Sequence, residues 1–160
     1  MEPIKVGMTE FKVARNPERL MTLGLGSCVG VVLYDAFNKI GGLAHIMLPR
    51  QSEAKDKSNP AKFADAAIEL MLTEMEKAGS FKNNIKAKIF GGANMFSNLQ
   101  NSAFLNVGER NAHAVKEELE KRKIKLIAEE LGGSSGRTIT LDTADGSVRV
   151  RTARREERVY

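Results

Sequence analysis

Alternation of apolar and polar residues predicts strands over the first third of the chain. Residues 4–14 alternate loosely, and three apolar segments follow: MTLGLG, CVGVVLYD and IGGLAHIML. Glycines or the polar break at 37–39 separate these segments. Short apolar runs bounded by such turn residues are typical of strands in a sheet with a buried face. NIKAKIFGG predicts one more strand further along.

Helical periodicity appears in two later segments. Asn59 followed by Pro60 is a favourable helix start, and Gly79 is a favourable end. Between them one stripe is apolar: Phe63, Ala67, Met71, Leu72 and Met75. The second helix is predicted at about 109–123, with its own apolar stripe facing inward.

The segment RTITLDTADGSVRVR predicts a β-hairpin. Asp145-Gly146 is a strong two-residue turn, and that turn would oppose Leu141 to Val150 and Thr143 to Val148. Four apolar side chains then share one face: Ile139, Leu141, Val148 and Val150. Turn chemistry and alternation therefore agree on a hairpin with one buried face.

Together these elements predict an α/β protein of the α+β type. We expect a mixed, largely antiparallel β-sandwich of seven or eight strands, flanked by two amphipathic helices. No linker or internal repeat divides the chain, so residues 1–160 are predicted to form a single domain.

Composition narrows the classes of function. A hydrophobic fraction of 42% and a charged fraction of 28% are typical of a globular protein, and no apolar stretch approaches the roughly 20 residues of a membrane span. The net charge of +5 is compatible with an acidic partner, but two tyrosines and no tryptophan argue against nucleic acid. A single cysteine favours a reducing cytoplasm.

That cysteine lies in the glycine-rich stretch GLGSCVG, which does not fit a phosphate-binding loop. Gly24 and Gly26 begin a dinucleotide fingerprint, but Val29 occupies the third glycine position. A strand rather than a helix follows, so no helix N-terminus is predicted there to bind an anion. No cofactor is therefore predicted.

Cys28 and His45 are the candidate reactive pair. Each by itself is more often structural: a small buried thiol, and a polar residue satisfied within a strand. Together they suggest a nucleophile beside an imidazole that can take and return a proton. One cysteine and two scattered histidines lack the spacing of metal ligands, so no metal site is predicted.

The predicted strand pairing does not bring this pair together. A tight hairpin about Asn38-Lys39 would oppose His45 to Val32 and Cys28 to Pro49. The two side chains would then lie roughly 13 Å apart along the strands, too far to react. Either the chain bends ahead of the strand at Cys28, or the pairing differs.

Several segments resemble the CheD family of chemoreceptor glutamine deamidases. They are LGLGSCVGVVLYD, GGLAHIMLP, FGGANMF, NVGERNA and GGSSGR, and they span most of the chain. The resemblance implies a cytoplasmic chemotaxis protein that hydrolyses receptor glutamine side chains to glutamates. It also implies a fold like the catalytic domain of the deamidating cytotoxic necrotizing factor toxins.

By position in these motifs, the resemblance implies that Cys28 is the nucleophile, that His45 is the base and acid, and that Thr22 orients the histidine. The reaction would release ammonia through a thioester on Cys28. Backbone N–H groups from Gly26 through Ser27 to Cys28 are candidates for binding the oxyanion.

The resemblance implies two partners: the cytoplasmic helical domain of chemotaxis receptors as substrate, and a CheC-type chemotaxis phosphatase. Phe96 and Phe104 lie in an unusually apolar segment and are either candidate contacts with the phosphatase or residues that fold back into the core. Two other functions stay open at this point, a thiol-dependent glutamyl methylesterase and a non-catalytic module that regulates the phosphatase. A deamidase predicts a reactive Cys28 thiol of low pKa, and a binding module predicts an inert one.

Overall fold

Two five-stranded mixed sheets and two α-helices are formed by the residues that the computed structural model describes, 1–95 and 106–160. The strands are β1 (Ile4–Lys5), β2 (Phe11–Arg15), β3 (Arg19–Leu25), β4 (Val29–Asp35), β5 (Ile40–Ile46), β6 (Ile85–Gly91), β7 (Lys125–Leu131), β8 (Arg137–Asp142), β9 (Val148–Thr152) and β10 (Glu157–Val159). The helices are α1 (Ala64–Lys77) and α2 (Val107–Lys121).

The elements stack in three layers. The first sheet has the order β1-β3-β8-β9-β10, and the second has the order β2-β5-β4-β6-β7. One apolar core lies between the sheets, and another lies between the second sheet and the two helices. Each sheet has one parallel pairing and is otherwise antiparallel, which confirms the predicted α+β class. The likeness to the cytotoxic necrotizing factor toxins stays a prediction.

The strands β4 and β5 have continuous apolar sequences because they belong to the second sheet, which is the middle layer. Every residue of both strands is buried, because one face packs on the helices and the other on the first sheet. Glycines permit the closest approaches. A Cβ at Gly42 would lie 2.7 Å from Met71 Cγ of α1, and one at Gly41 would lie 2.8 Å from Leu141 Cδ2 of β8.

The hairpin of β8 and β9 exists, but its predicted register is wrong. Leu141 pairs with Val148, and Ile139 pairs with Val150. The connection is a five-residue loop, 143–147, rather than a two-residue turn. Its first residue is buried because the Thr143 hydroxyl donates a hydrogen bond to the Glu18 carbonyl. The shift is two residues, so the apolar residues still share the buried face.

The hairpin of β4 and β5 also departs from the predicted register. Gly30 rather than Val32 pairs with His45, and the strands end in a four-residue loop between Asp35 and Ile40. The buried Asp35 carboxylate organises this loop. It accepts hydrogen bonds from the backbone N–H groups of Phe37, Asn38 and Phe81 and from the Asn38 side-chain amide. These bonds outweigh burial, which by itself would raise the pKa of Asp35, and the net shift is downward.

Candidate active site

In the observed register of β4 and β5, Cys28 and His45 lie closer together than in the predicted register. Cys28 lies two residues before Gly30, the residue opposite His45, so both side chains face the same side of the sheet. Diagonal neighbours of this kind are about 7 Å apart in an antiparallel pair. The separation predicted from the tight hairpin is therefore wrong, and the four-residue loop is the reason.

The chain also bends ahead of β4, as the other predicted solution required. Cys28 itself lies just outside the strand, and the register of β3 shifts between Thr22 and Leu25. Gly24 has a φ of +67°, a conformation that glycine adopts with little strain. A bend and an altered pairing both occur.

The three predicted catalytic residues come from three different strands or strand ends, and all three are buried. Thr22 lies on β3, Cys28 precedes β4, and His45 lies on β5. Thr22 and His45 are each 1% exposed, and Cys28 is 7% exposed. The first sheet therefore supplies the threonine, and the second supplies the thiol and the imidazole.

A hydrogen-bond argument determines the tautomer of His45. The Thr22 hydroxyl has one proton, which it donates to the Val6 carbonyl at 2.7 Å. Thr22 Oγ1 also lies 2.7 Å from His45 Nδ1, so Nδ1 must be the donor of that second bond. In the neutral ring Nε2 is then unprotonated and carries a free lone pair.

His45 Nε2 is buried and has no hydrogen-bond partner among the described residues. Burial lowers the pKa of His45, since a charged imidazolium is poorly solvated there. Burial also raises the pKa of Cys28, and its own backbone N–H offsets this only in part. Both groups are therefore neutral near pH 7, and the pKa of the Cys28 thiol lies above its ordinary value rather than below it, where the deamidase prediction required it to be.

Each carbonyl oxygen of residues 26–28 accepts a hydrogen bond from a residue just after β6 or on α2. Ala93 N donates to Gly26 O at 2.8 Å, Asn111 Nδ2 donates to Ser27 O at 3.0 Å, and Gly92 N donates to Cys28 O at 2.9 Å. The loop that carries the thiol is thus tied to the end of β6 and to α2.

Asn111 is a site-adjacent residue that lies in the NVGERNA segment of the family resemblance but was not predicted as a site residue. It is fully buried on α2, and its amide also donates to the Met47 carbonyl at 2.9 Å. The available signal was its position four residues before Val115, which places an amide beside the apolar stripe of the helix. An asparagine there is otherwise indistinguishable from a polar surface residue.

Gly91 and Gly92, at the end of β6, lie directly against the backbone of the loop that carries Cys28. A substitution of Gly91 tests this contact. A Cβ at Gly91, whose φ is +109°, would lie 2.4 Å from the Cys28 carbonyl oxygen. We expect Gly91→Ala to lower the free energy of unfolding by about 3 kcal/mol or more through strain and overlap. Urea unfolding followed by circular dichroism measures the change.

Gly132→Ala is the matched control for Gly91→Ala. Its φ of +81° is also positive, but no atom of the described residues lies within 4 Å of the added Cβ. We expect it to cost about 1 kcal/mol from backbone strain alone. Equal losses in the two variants would show that the contact with Cys28 is unimportant.

The remaining predicted site residues are the two oxyanion candidates, Gly26 and Ser27, and the two candidate phosphatase contacts, Phe96 and Phe104. Gly26 and Ser27 directly precede Cys28, and both are partly exposed. The side chain of Met95 lies against Gly26, with its Cγ 3.2 Å from the position of an added Cβ. Phe96 and Phe104 lie outside the described residues.

The described parts of the chain contain neither a group of metal-ligating side chains nor a helix that could span a membrane. Within residues 1–95 and 106–160, no three His, Cys, Asp or Glu side chains are grouped to hold a metal ion. No helix in the same ranges is long and apolar enough to cross a membrane.

Comparisons with known proteins agree with the motifs. A family model described as CheD chemotactic sensory transduction matches residues 47–152. A Desulforamulus reducens protein named "Probable chemoreceptor glutamine deamidase CheD" is 52% identical over 149 residues, covering 93% of this chain and 90% of that protein. A Clostridium kluyveri protein of the same name is 49% identical over 152 residues, covering 95% and 94%.

Among solved structures, the Bacillus licheniformis hypothetical protein YfiH is similar with a TM-score of 0.47 and 16% identity, covering 78% of this chain and 51% of that chain. The family match begins just after His45, and the two relatives cover more than nine-tenths of the chain. The resemblance predicted from the motifs is confirmed. The chain belongs to the CheD family.

Proposed function

We propose that this protein hydrolyses glutamine side chains of chemotaxis receptors to glutamates and releases ammonia. The observation that carries the proposal is the unpaired, unprotonated Nε2 of His45, which lies on the same side of the sheet as the Cys28 thiol. The relatives are named as chemoreceptor glutamine deamidases, which supports this choice of substrate.

In the first half of the proposed reaction, the Cys28 proton passes to His45 Nε2 as sulfur bonds to the glutamine Cδ. The carbonyl oxygen becomes an oxyanion. When the tetrahedral intermediate collapses, the Cδ–N bond breaks and the nitrogen takes the proton from Nε2. Ammonia leaves, and a thioester joins the substrate to Cys28.

In the second half, His45 Nε2 takes a proton from water as the water oxygen attacks the thioester carbon. The carbon–sulfur bond then breaks, the sulfur recovers the proton, and glutamate is released. The cycle therefore consumes one water and leaves the thiol and imidazole as they began.

Neutral resting groups are consistent with this scheme. Because burial disfavours both the thiolate and the imidazolium, the proton moves only when a substrate carbonyl is present to accept the sulfur's electrons. Thr22 assists by accepting the Nδ1–H bond, which orients the ring and stabilises the imidazolium that forms. The oxyanion would be bound by backbone N–H groups of the loop, for which Gly26, Ser27 and Cys28 stay the predicted residues.

The test is incubation of the protein with receptor cytoplasmic fragments, followed by mass spectrometry of receptor peptides. Deamidation replaces an amide by a carboxylate and gives a small, site-specific mass increase at glutamine, with ammonia in solution. Methanol release from methylated glutamates, without ammonia from glutamines, would favour an esterase. Receptor or phosphatase binding with neither product would favour a non-catalytic module.

Thr22→Val tests the orientation of His45. Valine has nearly the shape of threonine but cannot accept the Nδ1–H bond, so we expect kcat to fall about 10- to 100-fold. The unpaired Val6 carbonyl should also cost about 1–3 kcal/mol of stability. Steady-state kinetics and urea unfolding measure the two effects.

Thr22→Ser keeps the hydroxyl and is the control for Thr22→Val. We expect it to retain most of kcat and most of the stability. A valine variant with full kcat would show that the threonine does not orient the histidine.

The partners beyond the substrate stay predictions. We propose the cytoplasmic helical domain of the receptors as the region that carries the target glutamines. Binding to a CheC-type phosphatase rests on family resemblance, because its candidate contacts, Phe96 and Phe104, lie outside the described residues.

A further inference from the structure

We propose that Asn111 is a positioning residue that orients the Ser27–Cys28 peptide bond, so that the Cys28 N–H faces the reacting carbonyl. This inference rests on the proposed deamidase function and assigns that reaction an additional residue. Asn111 lies on α2 and does not touch the reacting atoms. It would act through the backbone of the loop.

The orientation of the Asn111 amide is determined by its partners. Its side chain faces two carbonyl oxygens, those of Ser27 at 3.0 Å and Met47 at 2.9 Å. Carbonyl oxygens only accept, so the nitrogen rather than the oxygen of the amide must face them. Both N–H protons of the amide are therefore used for holding backbone.

The two carbonyls belong to the two chain segments that carry the reactive pair. Ser27 directly precedes Cys28, and Met47 lies two residues after His45. A single side chain thus ties the segment entering β4 to the segment leaving β5. It lies just beyond the end of the ladder between those strands, whose last pair is Val29 with Ile46.

The geometry of a trans peptide links this contact to the oxyanion. The carbonyl of Ser27 and the N–H of Cys28 belong to one planar unit and point in opposite directions. Because the carbonyl points towards α2, the N–H points away from α2. The N–H is also close enough to the Cys28 sulfur to stabilise its thiolate.

The burial of Asn111 indicates a specific role rather than a solvated one. The residue is fully buried, and its Oδ1 has no hydrogen-bond partner among the described residues. An unpaired buried carbonyl oxygen is costly, and an apolar side chain would avoid it. An asparagine is therefore useful at this position because its amide donates hydrogen bonds to the Ser27 and Met47 carbonyls.

The test compares Asn111→Ala with wild-type protein on receptor fragments. We expect kcat to fall about 10- to 100-fold with KM unchanged, because a misaligned oxyanion donor affects the transition state more than substrate binding. Alkylation of Cys28 by iodoacetamide forms no oxyanion and should fall far less than kcat, with its pH profile moving only slightly upward because the Cys28 N–H also stabilises the thiolate.

Glu118→Gln is the matched control, because Glu118 is a buried polar residue on the same helix that bonds Lys121 and Arg122 instead of the loop. We expect it to keep kcat. If Asn111→Ala does not fold, Asn111→Ser replaces it, since one hydroxyl proton can serve only one of the two carbonyls. The same separation of kcat from alkylation is then expected.

Two results would overturn the role of Asn111. One is a folded variant whose kcat equals that of Glu118→Gln. The other is a loss of Cys28 alkylation in parallel with kcat, which would mean general disorder of the site. Absence of deamidation by the wild-type protein is a different result, because it would contradict the proposed function as well.

Discussion

The Cys28→Ala variant is expected to lose receptor deamidation by about ten-thousand-fold or more while remaining folded. The thiol is the only cysteine in the chain, so no other sulfur can form the thioester. Removing a nucleophile that acts together with its base typically removes most of the rate enhancement. Mass spectrometry of receptor glutamines after incubation with the variant measures the loss.

Folding should survive this substitution. Cys28 packs among the apolar residues between the two sheets, where alanine removes one sulfur atom and costs about 1 kcal/mol. Urea unfolding of the variant provides the control. If folded Cys28→Ala still deamidated receptors at the wild-type rate, the thioester mechanism would be wrong, and His45 would have to activate water directly.

The His45→Gln variant is expected to show the second large loss of deamidation activity. Glutamine lacks a basic nitrogen, so neither the thiol proton nor the proton for ammonia has a carrier. We expect kcat to fall about 100- to 10,000-fold. Glutamine fills much of the same buried volume, so the variant tests the chemistry more cleanly than alanine would.

The pH profile gives this prediction a sharper readout. Burial lowers the pKa of His45, so wild-type activity should persist below the usual pKa range of histidine and fall only when the imidazole is protonated. In His45→Gln that acid limb should disappear. Residual activity should instead rise at alkaline pH with the thiolate, whose pKa burial raises. An unchanged acid limb in the variant would show that another group titrates there.

The hydrophobic pattern predicted which faces of the strands are buried, and it did so even where the pairing was wrong. Both predicted hairpins have registers displaced by two residues from the observed ones. A displacement by an even number keeps every side chain on its face, so alternation cannot detect it. Ile139 and Val150 are buried in either register.

Side-chain hydrogen bonds stabilise the two loops that connect the strands in the observed registers. In the four-residue loop between β4 and β5, the Asp35 carboxylate accepts hydrogen bonds from three backbone N–H groups, those of Phe37, Asn38 and Phe81. In the loop between β8 and β9, the Thr143 hydroxyl bonds Glu18 from another part of the chain. Of these contacts, the bond from Phe81 and the bond to Glu18 join residues far apart in sequence, so local turn preferences could not anticipate them.

The sequence by itself determined the candidate chemistry, the α+β class and the family, because residue types, periodicity and motifs are local properties. Only the tertiary structure decided that Cys28 and His45 lie near each other, that Thr22 holds the ring in the Nδ1–H tautomer, and that both groups are neutral at rest. It also placed Asn111 behind the thiol loop. Each of these depends on distances and burial between segments far apart in sequence, which no local pattern encodes.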